Sequence, residues 1–221
     1  MTTDKNMLEI SALTIALGDK TLIDKMNLSI EEGETVALMG ASGSGKSTLL
    51  AWLCGVLDPA FSASGELSIR QQRIEHLPCE KRRVGMLFQD SLLFPHFSVG
   101  ENLVFAVPAH VKRNERRAHA EKALKEAGLE GYFNSDPSTL SGGQAARVNL
   151  MRTLLAQPQA LLLDEPFSRL DQALRAQFRQ FVLQHTAEKK LPVLIVTHDP
   201  VDVPDQSRCL LMADLAVSGT R

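Results

Sequence analysis

A glycine-rich loop between a short apolar run and a helix-forming run constrains this chain more than any other feature. Residues 35–39 are apolar and predict a buried strand, and residues 48–53 begin a predicted helix without glycine or proline. The residues that join them match the phosphate-binding pattern Gly-x-x-x-x-Gly-Lys-Ser/Thr: Gly40, Ala41, Ser42, Gly43, Ser44, Gly45, Lys46, Ser47 and Thr48.

Each part of this loop suits a triphosphate. Glycines let backbone amides approach phosphate oxygens, and the helix start adds unpaired N–H groups and a positive dipole end. Lys46 can reach the β- and γ-phosphates, and the Ser47 hydroxyl can ligate Mg²⁺. The alternative is a glycine-rich turn in the core, but the strand-to-helix context favours binding of a nucleoside triphosphate.

Composition excludes several classes of protein. The net charge of −2 over 221 residues gives no indication of a nucleic-acid partner. Three distant cysteines predict reduced, mostly buried thiols in a cytosolic protein. The polar N-terminus shows no signal region, and no apolar run approaches the roughly 18 residues of a membrane span.

The order of apolar runs predicts the fold. Residues 7–15 and 26–30 alternate around a turn at 18–20, as in a small antiparallel sheet. Further strands are expected at 65–69, 84–88, 160–163, 193–196 and 209–212, with helices from 98 to 158 and at 172–187. We therefore expect an α/β P-loop NTPase core with a mostly parallel sheet, a small antiparallel β subdomain and an inserted helical subdomain. One domain spans 1–221, with its core at 1–88 and 159–221 and the insertion at 89–158.

The charged helix expected at 112–127 raises the question of an acidic partner. Its basic residues alternate with acidic ones, and Glu121 and Lys125 have the spacing of an i,i+4 ion pair. A solvated helix face is therefore the favoured interpretation.

Two carboxylates follow the apolar strand at 160–163. Asp164 would lie at the carboxyl edge of the sheet, where open α/β folds bind ligands, and would hold Mg²⁺. Glu165 is positioned to orient or deprotonate an attacking water. A helix-capping acidic pair is the alternative, which the accompanying P-loop disfavours.

A second glycine motif opens the helix after residue 140. Ser141, Gly142, Gly143 and Gln144 would present amides and a hydroxyl at the helix N-terminus, which favours an anion. By composition alone, a simple glycine-rich N-cap is the favoured explanation.

Taken in order, these motifs resemble those of ATP-binding cassette (ABC) ATPases. The P-loop, Gln89, the run Leu-Ser-Gly-Gly-Gln at 140–144, the Asp164–Glu165 pair, Asp171 and Thr-His-Asp at 197–199 occur in the family's order. The resemblance extends from about residue 7 to about residue 212.

The resemblance implies a role for each matched position. Lys46, Gln89, Glu165 and His198 would be catalytic, with Gln89 also contacting Mg²⁺ beside Ser47 and Asp164. Residues 141–144 would bind the γ-phosphate of ATP held by the opposite subunit, and Asp171 would bridge the two subunits.

Two departures from the family pattern stand out. Leu17 occupies the position where relatives commonly place an aromatic residue that stacks on adenine, and the first 51 residues contain no aromatic side chain. We expect weaker base stacking and poor discrimination between ATP and GTP. After His198, Pro200 and Pro204 predict a short or irregular helix, and no regulatory domain is expected.

The resemblance also implies partners. Two chains would pair head to tail as an ATP-dependent homodimer and act on integral membrane permease subunits, with an extracytoplasmic solute-binding protein in the same system. Residues 92–97 are a candidate permease contact or, alternatively, core. The expected location is cytoplasmic, on the inner face of the cell membrane, with import favoured over export. The alternatives are a soluble ABC ATPase in DNA repair or translation, and a P-loop kinase or GTPase switch.

Overall fold

The computed structural model describes residues 6–205 and 207–215. Its strands are β1 (Asn6–Leu17), β2 (Lys20–Glu31), β3 (Thr35–Met39), β4 (Phe61–Ile69), β5 (Gln72–Arg73), β6 (Val84–Leu87), β7 (Ala160–Asp164), β8 (Val193–Thr197) and β9 (Arg208–Leu211). Its helices are α1 (Lys46–Cys54), α2 (Cys79–Arg82), α3 (Val99–Ala106), α4 (Arg113–Glu126), α5 (Gly142–Leu155), α6 (Gln172–Glu188) and α7 (Met212–Leu215). Three short 3₁₀ helices lie at Tyr132–Asn134, Pro137–Thr139 and Pro200–Asp202.

A five-stranded sheet carries the phosphate loop. Its order is β6-β7-β8-β3-β9, and β3 runs parallel to both β8 and β9, as β7 does to β8. All residues of β8 are buried, as are the first four of β7, which explains their continuous apolar sequences. The predicted mostly parallel α/β sheet is confirmed.

A second sheet is antiparallel, with the order β2-β1-β4-β5. Its two long strands are joined at the predicted turn, where Leu17 pairs with Lys20. Register shifts interrupt the β1–β2 ladder between Ile10 and Leu13 and again between Leu13 and Ile15. The first shift adds a residue to β1, so that Leu13 faces the core as Ile10 does, whereas the second adds a residue to β2. Ile15 follows Leu13 at the ordinary strand spacing, and all three side chains are buried.

Contacts divide the chain into two compact units. The first unit comprises the described residues up to Met86, Gln159–Glu165, and those from His185 onward. Its core joins aliphatic side chains of both sheets to Leu49, Leu50 and Leu53 of α1. The second unit comprises Leu87–Pro158 and Pro166–Gln184. This grouping differs from the predicted division, because most of α6 belongs with the helical segment.

Three local predictions need correction. Glu121 pairs with Arg117 at 2.8 Å, one helical turn back, while Lys125 lies 3.9 Å from Glu130. Cys54 is half-buried and Cys79 and Cys209 are exposed, because α2 and the edge strand β9 lie at the surface. Met212 begins α7 instead of ending a strand.

Two other expectations hold. The free state of the cysteines is confirmed, as is the short helix after His198, which is the 3₁₀ turn Pro200–Asp202. Among the helices of residues 6–205 and 207–215, none is long and apolar enough to span a membrane.

Candidate functional site

The phosphate loop turns sharply from β3 into α1. Gly43 and Gly45 have φ angles of 80° and 93°, a region that favours glycine. At Gly40 the constraint is space, since a Cβ atom there would lie 2.7 Å from the Ser44 hydroxyl oxygen. The helix begins directly after Gly45, so its first N–H groups belong to the loop itself.

Lys46 is buried although it carries a charge. Its ammonium donates hydrogen bonds of 2.6 and 2.8 Å to the carbonyl oxygens of Gly40 and Ala41. Only 7% of the residue is exposed. The loop carbonyls therefore hold the positive charge over the glycine-rich turn.

A cleft of about 180 Å³ opens at this loop. It is lined by Leu22, Ser42, Gly43, Gly45, Lys46, Ser47, Thr48, Asp164 and Glu165. The structure thus gathers six of the nine predicted loop residues and both predicted carboxylates around one cleft.

Asp164 lies half-buried at the end of β7. Burial raises the pKa of its carboxyl group, the neighbouring Glu165 raises it further, and the Lys46 ammonium opposes both effects. A buried carboxylate of this kind is stabilised by a nearby cation.

Glu165 occupies an unusual backbone conformation. Its φ angle is 44°, in the left-handed region that side-chain-bearing residues rarely adopt. Its N–H donates to the Val196 carbonyl at 2.9 Å, which extends the contact with β8 by one residue. A strained backbone persists only where the surrounding structure compensates for its cost, and such positions cluster at functional sites.

The Glu165 side chain contacts His198. The Nδ1 atom of His198 lies 2.8 Å from Oε1 of the carboxylate. Parallel pairing explains the contact, because Asp164 is in register with Val196 and the next residues of both strands leave the same sheet edge. The loop after β8 is braced by a buried hydrogen bond of 3.2 Å between Thr197 and Asp202.

These residues suit a magnesium ion bound with a phosphate. The Ser47 hydroxyl and the Asp164 carboxylate line the same cleft, and both are oxygen ligands of the kind Mg²⁺ prefers. Within the described ranges, no group of three or more His, Cys, Asp or Glu could hold a metal by itself. A cation here would therefore share its coordination with phosphate and water oxygens.

The second glycine motif lies in the second unit. The Ser141 hydroxyl accepts from the Gln144 amide at 3.3 Å, and the Gln144 side chain accepts from the Ser141 amide at 2.9 Å. This capping box starts α5. Gly143 is buried, and a Cβ atom there would lie 3.2 Å from Leu174, which explains a small residue at that position.

The remaining predicted residues are also at or near surfaces. Gln89 is exposed just after β6, and its neighbour Asp90 forms an ion pair with Arg169. Asp171 caps α6 by accepting from the Leu174 amide at 3.0 Å. Leu17, at the end of β1, is 44% exposed and is not among the residues that line the cleft.

Two residues that support the segment 92–97 were not found by sequence reasoning. Buried Asn102 bonds both backbone groups of Phe94, accepting from its N–H at 2.8 Å and donating to its carbonyl at 3.1 Å. Arg152 donates to the Leu92 carbonyl at 3.0 Å and lies over the Phe94 ring at 5.2 Å. The aromatic rings of Phe94, Phe97 and Phe105 are thereby held together, with Phe105 65% exposed.

Arg82 was also not found by sequence reasoning, and it contacts the C-terminal end of α1. Its guanidinium donates to the carbonyls of Trp52, Leu53, Leu77 and Glu75, and only 6% of the residue is exposed. Gly55 is required beside it, because a Cβ atom there would lie 2.6 Å from Nε. Sequence reasoning had no signal for these contacts, since the partners are backbone carbonyls and those of Trp52 and Leu53 lie 30 and 29 residues away.

Comparisons with known proteins agree on one family. Residues 23–168 match the family model described as ABC transporter. The uncharacterized ABC transporter ATP-binding protein YnjD of Escherichia coli K12 is 53% identical over 207 residues, covering 94% of this chain and 95% of that protein. The thiamine import ATP-binding protein ThiQ of Haemophilus influenzae strain 86-028NP is 40% identical and covers 86% and 87%.

Other relatives are longer than this chain. The Fe(3+) ions import ATP-binding protein FbpC of Escherichia coli K12 is 37% identical, and the match covers 89% of this chain but 56% of that protein. Among solved structures, CbiO1 of Clostridium perfringens, described as part of the ABC transporter complex cbiONQ, has a TM-score of 0.81 at 28% identity. That match covers 94% of this chain and 85% of CbiO1.

Proposed function

Because the chain belongs to the ABC transporter family, whose ATP-binding subunits are ATPases, we propose that it powers solute import through a separate membrane permease. The observation that carries the proposal is the cleft that joins the Lys46 loop to Asp164 and Glu165. Backbone amides, an ammonium group and two carboxylates line this one space, which supports an assignment to triphosphate binding.

Within this cleft, we assign the phosphate grip to residues 40–48. The loop amides and the Lys46 ammonium bind the β- and γ-phosphates, and this positive surface stabilises charge that develops on the transferred phosphoryl group. Ser47 and Asp164 hold Mg²⁺, which when bound neutralises phosphate charge, and Gln89 is assigned to the same ion. Neutralisation by the cation also offsets the cost of a buried Asp164 carboxylate.

Glu165 is assigned as the base that orients and deprotonates the attacking water. Its carboxylate lies beside the phosphate cleft, and the contact with His198 restricts the directions that it can take. His198 is assigned a second role as a donor to the γ-phosphate.

The second half of each reaction centre is assigned to another copy of the chain. The capping box leaves the amides of Gly142 and Gly143 at the N-terminus of α5, a surface that favours an anion. We propose a head-to-tail homodimer in which residues 141–144 of one chain bind the γ-phosphate held by the other, with Asp171 at the interface. ATP closes this dimer because it binds the closed state more tightly, and hydrolysis releases it.

The surface formed by Phe94, Phe97 and Phe105 is assigned to the permease. An exposed aromatic ring on a rigid support is the kind of group that anchors a partner helix. The import direction is supported by relatives named as import ATP-binding proteins, for thiamine and for Fe(3+) ions. We place the chain on the cytoplasmic face of the membrane, in a system with an extracytoplasmic solute-binding protein.

Three measurements test the proposal. Specific ATPase activity should rise with protein concentration, because two chains complete each site, and Lys46→Ala should abolish productive ATP binding. Specific activity that is independent of concentration would argue for a monomeric P-loop enzyme instead. For the permease, Phe105→Asp should lower the ATPase stimulation by the reconstituted permease more than the activity of the isolated chain.

A further inference from the structure

The phosphate cleft has one apolar wall. Of the described residues that line it, Leu22 alone carries an apolar side chain, and the others are glycines, hydroxyls and charged groups. The Leu22 carbonyl would lie 3.9 Å from a Cβ atom at Gly45, so the start of β2 directly adjoins the phosphate loop. An apolar ring attached to a bound phosphate chain is therefore favoured on the β2 side of the cleft.

An aromatic side chain lies in the same antiparallel sheet as Leu22, in a part of β4 that precedes the predicted strand. Strand β4 begins at Phe61, four residues earlier than the expected strand, and Phe61 pairs with Leu17 across the antiparallel ladder. Directly opposite residues of such a pair share one face of the sheet, about 4.5–5.5 Å apart at Cβ. Leu17 in turn pairs with Lys20, at the start of β2.

Through these pairings Phe61 lies two strand spacings, or about 10 Å, from the start of β2. Phe61 and Leu22 both pack against the core of the first unit, and both remain half-buried, so each retains some exposed apolar surface. Leu17, between them in the ladder, is 44% exposed. Leu17 and Phe61 therefore lie at the same end of the antiparallel sheet as the start of β2, whose Leu22 lines the cleft.

We propose that Phe61 supplies the aromatic surface against which the nucleobase packs. The inference rests on the proposed function, since it requires a nucleotide in the phosphate cleft. It revises the expectation of weaker base stacking. Because every base has a π-face, such stacking adds affinity without selecting adenine over guanine.

The experiment compares ligands that share a pyrophosphate group and differ in the nucleoside attached to it. We would measure equilibrium binding of ADP, GDP and inorganic pyrophosphate to the wild-type chain and to Phe61→Leu, which keeps an apolar side chain in the core. We expect ADP and GDP to bind roughly 5- to 100-fold more weakly to the variant. Pyrophosphate affinity should stay within about twofold, since it has no base to stack.

A second variant reports contact directly. Phe61→Trp adds an indole, whose fluorescence ADP should quench and pyrophosphate should not, with the wild-type chain correcting for Trp52. Equal ADP affinities for wild type and Phe61→Leu would overturn the inference, as would a parallel loss of pyrophosphate binding. A wild-type chain that binds none of the three ligands would instead refute the proposed function itself.

Discussion

The Nδ1 atom of His198 lies 2.8 Å from the Oε1 atom of Glu165, which joins the residues that follow two adjacent parallel strands. Glu165 is also held through its backbone, at a φ angle of 44° and with its N–H bonded to Val196. The carboxylate therefore has two independent supports, one at each end of the residue. A carboxylate that is held in this way keeps its orientation without help from a ligand, as the role proposed for Glu165 requires.

Replacing His198 should lower turnover more than affinity. His198→Ala removes one of the two supports of the Glu165 carboxylate, so we expect kcat for ATP hydrolysis to fall about 10- to 100-fold. KM should change less, because Lys46 and the loop amides still bind the phosphates. Steady-state kinetics would measure both, with the exposed His119 replaced by alanine as the control. A kcat close to wild type in His198→Ala would contradict the role.

Replacing Glu165 should separate binding from chemistry. Glu165→Gln keeps the size of the side chain and removes the base, so ATP binding should persist while hydrolysis falls at least about 100-fold. Unhydrolysed ATP should then trap a dimer, seen by size-exclusion chromatography with ATP and not with ADP. A chain that remains monomeric with ATP would count against the two-chain site.

Replacing Asp164 should stabilise the protein while disabling it. Burial raises the pKa of this carboxyl group in the folded state. Below its ordinary pKa the group is protonated both folded and unfolded, so it contributes nothing. As pH rises above that value, ionisation favours the unfolded state and stability falls. Asp164→Asn should therefore raise Tm at pH 7, with the difference vanishing near pH 3.

Thermal melts across pH would check the Asp164 prediction, measured without Mg²⁺ because the cation masks the penalty. Asp136 is a control of opposite sign, since the Ser138 amide bonds its carboxylate and lowers its pKa. Any gain from Asp136→Asn that grows with pH would show that the trend is not specific to burial. ATPase activity should be lost in Asp164→Asn and kept in Asp136→Asn.

Ser141 should matter for hydrolysis beyond its role as a cap. Ser98 and Ser141 form capping boxes of the same design at the starts of α3 and α5. Either serine-to-alanine change should cost about 1 kcal/mol of stability. We expect only Ser141→Ala to lower ATPase activity, and Ser141→Arg to block hydrolysis while sparing ATP binding. Equal ATPase activities of Ser98→Ala and Ser141→Ala would show that Ser141 acts only as a helix cap.

Arg82 should stabilise the helix that follows the phosphate loop. Arg82→Met removes the guanidinium that bonds four carbonyl oxygens, of which that of Trp52 keeps its hydrogen bond from the Gly55 amide. We expect a loss of about 2–4 kcal/mol in the free energy of unfolding, measured by urea denaturation. Arg113→Met, at an exposed position of α4, should change stability by less than about 0.5 kcal/mol.

The sequence by itself determined the features that depend on neighbours in the chain. The phosphate loop, the α1 helix that ends before Gly55, and the cap formed by Ser141 and Gln144 all follow from short spacings and backbone preferences. The α/β class followed from the order of apolar runs, since buried parallel strands are continuously apolar.

Only the tertiary structure decided which distant residues meet. Strand register brought His198 to Glu165 and Phe61 to Leu17, and no local pattern specifies a partner on another strand. The structure also decided between two local partners. Glu121 pairs with Arg117, although Lys125 has the same i,i+4 spacing. The physical reason is that helix and strand periods are set by local backbone sterics, whereas pairing between strands depends on which register buries the apolar faces of the whole sheet.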